Sequence, residues 1–354
     1  MFASVNHTLG RVPETRQRRL NIRTYRIIPT TPQTGLIEFV EHTQAFGHWL
    51  SHGSGCAHSR YHPPPGLTSA ECRKRLAECA NADRVLKFRE IVALFPPVFR
   101  FFFIEKYPDP ARWAACRLAY TRSVAVNSIV GYILGIGDRH AHNIMVDTRT
   151  AEVVHIDFGI VFEQGRVLTT PETVPFRLTR DVVDGMGVTG VEGSFRRSCE
   201  EVLRVLRDQA PRLLTILEVV LHDPLYKWSL SPLQARARQG PALGGEEAAA
   251  GGAPRRGRGS GAHNLPVAPG AAAAAAAAAS AATAAAAAAA AAAEAGFGRD
   301  AAERTLRRIR SKLQGFEDPS GEGLGVEGQV ELVMSMAMDE ANLARLFVGW
   351  APWL

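Results

Sequence analysis

Between residues 137 and 159 the chain reads Gly-Asp-Arg-His-Ala-His-Asn and then, after a short interval, His-Ile-Asp-Phe-Gly, which places Asp138, Asn143 and Asp157 close in sequence. An acid, an amide oxygen and a second acid in this order suit phosphoryl transfer. That reaction asks for an oriented hydroxyl and for neutralised phosphate charge, usually through magnesium, and for little covalent chemistry from the protein. Magnesium prefers oxygen ligands and takes most of them from phosphate and water, so one or two protein groups suffice, and Asn143 and Asp157 can supply them. Asp138 can orient the attacking hydroxyl or accept its proton. His140, two residues on, can share that work or donate to the transferred phosphate. The same stretch also spells His-x-His and His-x-Asp through His140, His142, His155 and Asp157, a zinc-ligand pattern, but no third cluster with ligand spacing occurs elsewhere in the chain.

These side chains need supports. Ile144-Met145-Val146 and Val153-Val154-His155-Ile156 are apolar, β-type runs joined by the polar turn Asp147-Thr148-Arg149-Thr150, and they predict a hairpin with both metal ligands on one side. Upstream, Asp109-Pro110 predicts the start of a long helix, aspartate as N-cap and proline in the first turn. It carries Trp113, Leu118, Val124, Ile129, Ile133 and Leu134 and ends near Gly135-Ile136-Gly137, so it would hold the loop rigidly. Thr68 or Ser69 predicts the cap of another helix running towards Leu94. Arg23–Pro29 and Gly35–Val40 read as two strands around a turn at Pro32. From Gly193 to Trp228 the pattern is that of apolar-faced helices. Arg304–Leu313 and Gln329–Met338 predict two more.

The text around the loop is more specific than the loop itself. Leu118-Ala119-Tyr120-Thr121-Arg122-Ser123-Val124-Ala125, Gly131-Tyr132-Ile133-Leu134-Gly135, Gly137-Asp138-Arg139-His140 and the run Thr170–Gly187 resemble the phosphatidylinositol-3-kinase-related protein kinases of the ATM (ataxia-telangiectasia mutated) type. In that family Asp-Arg-His replaces the His-Arg-Asp of ordinary protein kinases. The resemblance covers about Ile22–Trp228 and the last thirty or so residues. It implies an α+β, two-lobed protein-kinase-like (PI3/PI4-kinase) fold, mostly the helical large lobe with a truncated small lobe. Residues 1–40 would be small lobe and hinge, 41–233 the large lobe, 234–300 a low-complexity linker, 301–321 a regulatory helix and 322–354 a FATC tail packed near the activation segment, 157–184.

By the same resemblance Asp138 is the catalytic acid/base assisted by His140, and Asn143 and Asp157 hold Mg²⁺ or Mn²⁺. ATP would bond the Glu38 carbonyl and the Val40 amide, stack on Phe39 and rest on Met145 and Ile156. Two ordinary core strands fit the composition of residues 23–40 equally well. The resemblance further implies protein substrates phosphorylated on Ser or Thr before Gln, DNA-damage signalling in the nucleus, activating sensor proteins and a homodimer formed through an upstream region. The stretch 160–184 carries the dispersed arginines Arg166, Arg177 and Arg180 where lipid kinases of the superfamily carry a basic cluster, which favours protein over phosphoinositide. No glycine-rich loop, third-strand lysine or partner acid appears before the hinge, so the sequence reads as a fragment of a longer kinase, with weak or no activity alone, or as a scaffold.

Composition sets outer bounds. The net charge of +6 is concentrated in Arg11, Arg16, Arg18, Arg19, Arg23 and Arg26 and in Arg255-Arg256-Gly257-Arg258. A solvated basic face is the common reason for such runs, and direct nucleic-acid contact stays open. The five cysteines lack Cys-x-x-Cys spacing, which favours neither a disulfide framework nor a structural zinc, and so a reducing compartment. Val124–Ile136 is too short and too interrupted to cross a membrane. Gly323–Gly328 matches Gly-x-Gly-x-x-Gly, but no strand precedes it and no ribose-binding acid can follow. The aromatic ending at Trp350 and Trp353 leaves exposed binding anchors as the alternative to a packed tail.

Overall fold

The computed structural model describes residues 1–31, 34–53, 55–62, 66–222, 300–317 and 321–354. It divides into two units, Met1–Gly240 with Arg304–Leu354, and Pro241–Glu303. The first unit holds the loop at 137–159 and the elements that support it. All but the last residue of the low-complexity linker expected at 234–300, the turn at Pro32 and the end of the helical region at Trp228 lie outside the described residues.

The axis of the first unit is the helix Pro110–Leu134. Asp109 caps it by accepting the Arg112 amide at 2.8 Å, and Pro110 takes the position where a missing N–H has no consequence. Its second half, Thr121 to Leu134, is buried almost without break, Asn127 and Ser128 included. Asn127 is accommodated by donating to the Ser123 carbonyl at 2.8 Å. The helix Ser194–Asp208 packs along it with a face of Cys199, Val202, Leu203 and Leu206, which buries its largely apolar second half inside the protein. No helix among the described residues is long and apolar enough to span one. The helix stops at Gly135, whose φ of 60° closes the left-handed cap. The Glu163 backbone lies where a Cβ would be, so glycine is required there.

Two small sheets flank this axis. Strands β1 (Ile27–Thr31) and β2 (Thr34–Ile37) pair antiparallel, Ile27 opposite Ile37. β1 is shifted later than the expected Arg23–Pro29 at both ends, and β2 starts one residue before and ends three residues before the expected Gly35–Val40. They are not core strands: Ile27, Ile28, Leu36 and Ile37 are exposed. Strands β3 (Thr43–Ala45), β4 (Ile144–Asp147) and β5 (Val153–His155) form an antiparallel sheet in that order, and β4–β5 is the expected hairpin.

The helix expected from Ser69 to Leu94 is two helices, Ser69–Ala77 and Arg84–Leu94. Thr68 does cap the first, in a reciprocal capping box with Glu71. The break follows from where the apolar residues fall. Cys72 and Leu76 would point about 120° away from Phe88 and Ile91 on one straight helix, and the extended residue Ala80 with a 3₁₀ turn at Asn81–Asp83 lets both pairs reach the core.

The C-terminal segments close over the same core. Residues 304–314 are helical, followed by helices Val326–Met338 and Glu340–Arg345. Gly323–Gly328 is thus the lead-in and first residues of the helix Val326–Met338, with no strand just before it among the described residues. Trp350 and Trp353 are buried, so the ending is packed and not an exposed anchor. Trp353 is fully enclosed and its Nε1 donates to Ser69 Oγ at 3.0 Å. Trp353→Ala should therefore lower stability by about 3–5 kcal/mol in urea unfolding; a loss under about 1 kcal/mol would mean that the tail is not part of the core.

Candidate active site

The loop 136–143 hangs between the end of the long helix and β4. Gly137 N donates to the Ile160 carbonyl at 3.0 Å, tying the loop to the segment that follows Asp157. Register pairing in the hairpin ends at Ile144 opposite His155, and Ile156 N donates to the Asn143 carbonyl at 3.0 Å. Asn143 and Asp157 therefore leave the hairpin side by side. Asn143 Nδ2 donates to the Asp138 carbonyl at 2.9 Å and to Asp138 Oδ2 at 3.3 Å, which leaves Asn143 Oδ1 for a cation. Asp157 Oδ1 accepts the Gly159 amide at 3.0 Å; Oδ2 has no partner among the described residues. The open atoms are oxygens, the donor set magnesium selects.

Both aspartates have left-handed backbones, φ 56° at Asp138 and 54° at Asp157. Arg139, between them in space, is buried and donates to the carbonyls of Gly137 at 2.8 Å, Ile156 at 2.7 Å and Asp157. Its guanidinium also lies 5.5 Å from the Phe158 ring centroid, and Phe2 of the first helix (Phe2–Arg11) meets that ring edge-on at 5.1 Å. Burial depresses the Arg139 pKa, with Asp138, Glu172 and Asp157 opposing.

His140 is pushed down to about 4, mainly by burial and then by His142, Arg177 and Arg139. It is neutral at pH 7. Its Nδ1 accepts the His142 amide at 3.2 Å, so the ring proton belongs on Nε2. His155 is pushed lower still by burial and lines an internal cavity with Ser128 and Arg177. Among the described residues no group of three or more His, Cys, Asp or Glu has the geometry to hold a metal, so the zinc alternative does not come together.

Of the residues expected at the nucleotide, Met145 and Ile156 are half-buried beside Asn143 and Asp157. Glu38 N donates to the Arg26 carbonyl at 2.9 Å while Arg26 N turns to Glu38 Oε2 at 2.7 Å. This leaves the Glu38 carbonyl, like the Val40 amide, without a partner among the described residues, and Phe39 is exposed. Sequence reasoning missed Tyr25, whose phenol is pushed up by burial and feels both Arg139 and Asp157. It also missed Glu172, whose Oε1 accepts the Asp138 amide at 2.8 Å.

Arg177 and Arg180, dispersed charges in the sequence, are internal clamps in the fold. Arg177 donates to the carbonyl oxygens of Trp350, Ala351 and Leu354 at 2.7, 2.9 and 3.1 Å and to that of Arg139 at 3.4 Å. Arg180 donates to those of Val92 and Phe95 at 2.7 and 3.0 Å. Lys312 lies 2.5 Å from Glu163 Oε1 and donates to the Tyr132 carbonyl at 2.6 Å. None of these has a spacing signal; each depends on tertiary contact.

Burial raises the Glu172 carboxyl to about 7 from an ordinary 4.5, the Asp138 charge adding to it against the Asp138 amide and Arg139. Because the folded value lies above the unfolded one, neutral Glu172 stabilises the fold fully below about pH 4.5, and that contribution is lost as pH rises through about 7. Glu172→Gln cannot titrate. The Tm of the variant minus that of the wild type should rise across this window, and a flat difference would contradict the burial of the acid.

Residues 1–230 match the family Phosphatidylinositol 3- and 4-kinase, and residues 323–354 match the FATC domain. The serine-protein kinase ATM of Sus scrofa is 42% identical over 357 positions, across 100% of this chain and 11% of its own length. The serine/threonine-protein kinase ATM of Arabidopsis thaliana is 42% identical across 100% of this chain and 8% of its own. Among solved structures, the FAT and kinase domain of CtTel1 superposes with a TM-score of 0.76 at 37% identity, covering 100% of this chain and 20% of that one. The chain spans about a tenth of the length of the curated relatives it matches. With loop, hairpin and tail all accounted for by these matches, the chain belongs to the phosphatidylinositol 3- and 4-kinase family, in its ATM/Tel1 type, with a FATC domain at its far end.

Proposed function

We propose that this protein transfers the γ-phosphoryl group of ATP to serine or threonine hydroxyls of proteins. The observation that carries the reading is the meeting of Asp138, Asn143 and Asp157 at one end of the β4–β5 hairpin, in a chain whose relatives are named serine/threonine-protein kinases.

Asp138 orients the substrate hydroxyl and takes its proton. Neutral His140 is a poor acid and a good fixed donor, and its Nε2–H hydrogen bonds the transferred phosphoryl oxygen. Asn143 and Asp157 would hold Mg²⁺ or Mn²⁺ through their side-chain oxygens. The bound cation shields the phosphate charge. The Glu38 carbonyl and Val40 amide read the adenine edge, Phe39 covers one face and Met145 and Ile156 form the floor. Residues 1–40 serve as small lobe and hinge, 41–233 as large lobe, 234–300 as linker and 322–354 as tail. The 301–321 segment is regulatory: its Lys312 grips Glu163 in the activation segment.

Substrates with Gln after the Ser or Thr, a nuclear role in DNA-damage signalling and activation by damage-sensor proteins complete the reading. Self-association accompanies it, supported by structures described as a complete CtTel1 dimer with C2 symmetry and a Tel1 kinase butterfly symmetric dimer.

The test is magnesium-dependent phosphate transfer to Ser-Gln and Ser-Ala peptides and to phosphoinositide vesicles. Transfer to Ser-Gln peptide is expected, weak for this chain alone because it lacks a glycine-rich loop and third-strand lysine, with Asp138→Asn reducing what there is by about 100- to 10,000-fold in kcat. Transfer to lipid alone, or an Asp138→Asn variant as active as the wild type, would refute the assignment.

A further inference from the structure

Glu172 takes no part in the transfer chemistry, yet it is packed against the loop that does. Its Oε1 accepts the amide of Asp138 at 2.8 Å, the residue whose backbone stands at φ 56°. That conformation is uncommon for a residue other than glycine, and although aspartate tolerates it better than most, the bonds on either side decide whether it is kept. Asn143 holds Asp138 from the carbonyl side at 2.9 Å, and Glu172 holds it from the amide side.

The carboxyl group is itself fixed. Glu172 N donates to the Gly165 carbonyl at 3.0 Å. Gly137 and Gly165 both face Glu172 Oε2, so closely that a Cβ on either would overlap it. Two glycines from separate segments thus make a slot one carboxyl group wide, beside the buried Arg139.

We propose that Glu172 is the positioning residue for Asp138: by accepting the Asp138 amide it sets the backbone conformation from which the Asp138 side chain is presented. The role is that of an oriented acceptor and not of a charge. Glutamine, which keeps the carbonyl oxygen, should therefore replace it, whereas alanine should not. The inference rests on the kinase reading for its kinetic consequence only.

The experiment is amide hydrogen exchange at Asp138–Asn143 in the protein, with Val126–Val130 of the long helix as internal control, alongside peptide phosphorylation kinetics. In Glu172→Ala the loop amides should exchange about tenfold faster with the control unchanged. kcat should fall about 100-fold while KM for ATP holds, and Glu172→Gln should restore both. Unchanged loop exchange in Glu172→Ala, or a Glu172→Gln variant as impaired as the alanine, overturns the proposal.

Should Glu172→Ala also loosen the control amides, Gly165→Ala decides. Its Cβ displaces the carboxyl group without removing it; loop-only loss of protection supports the role and full protection overturns it. A wild-type protein that phosphorylates phosphoinositide vesicles and no peptide sinks the protein-kinase reading while the exchange result stands by itself.

Discussion

Arg139 is the constraint on which the site depends. Its guanidinium is buried, and its closest partners are main-chain carbonyls of Gly137, Ile156 and Asp157 in place of a paired carboxylate. Removing a cation from water costs several kcal/mol, and a hydrogen bond to a charged group returns about 1.5–3 kcal/mol, so three such bonds offset the burial. The consequence is geometric. Carbonyls that precede and follow the two aspartates are gathered around one planar group, and the left-handed turns at Asp138 and Asp157, which aspartate tolerates better than most residues, are fixed by the surrounding bonds.

Arg177 repeats the device one layer further out. It gathers the carbonyl oxygens of Trp350, Ala351 and Leu354 and reaches the carbonyl of Arg139, with its guanidinium 4.4 Å from the Trp350 ring. The tail and the 136–143 loop are thus joined through two arginines in series, sequence positions 139 and 177 acting as adjacent layers of one core. Lys312 makes a third link, from the 304–314 helix to Glu163 and to the end of the long helix at Tyr132. A lysine buried this way is pushed down to about 8, burial outweighing Glu163.

What could be read from the sequence was whatever local physics writes locally. Asp109-Pro110, the Gly135 stop and the apolar runs that make β4 and β5 are short-range signals, and the helix and hairpin follow them. The helix break after Ala77 was not legible, because propensity alone favours continuation and only the direction of the core residues forbids it. Strands β1 and β2 have the alternation of half-buried strands but sit exposed, since burial depends on what lies against a strand. That Asp138, Asn143 and Asp157 would lie at one end of a hairpin was legible by spacing. Their supports, Arg139, Glu172, Arg177 and Tyr25, were not, because an arginine bound to carbonyls and an acid bound to an amide have no partner residue type for a motif to record.

The claim at the centre is that Asn143 and Asp157 form one cation site with ATP. Paramagnetic broadening by Mn²⁺ with ATP, followed on labelled Asn and Asp resonances, tests it most directly. Selective, ATP-dependent broadening of Asn143 and Asp157, abolished in Asp157→Asn, is the expected result. Broadening centred on Asp109 or Glu340, or broadening unaffected by Asp157→Asn, would show that the two residues do not share a metal.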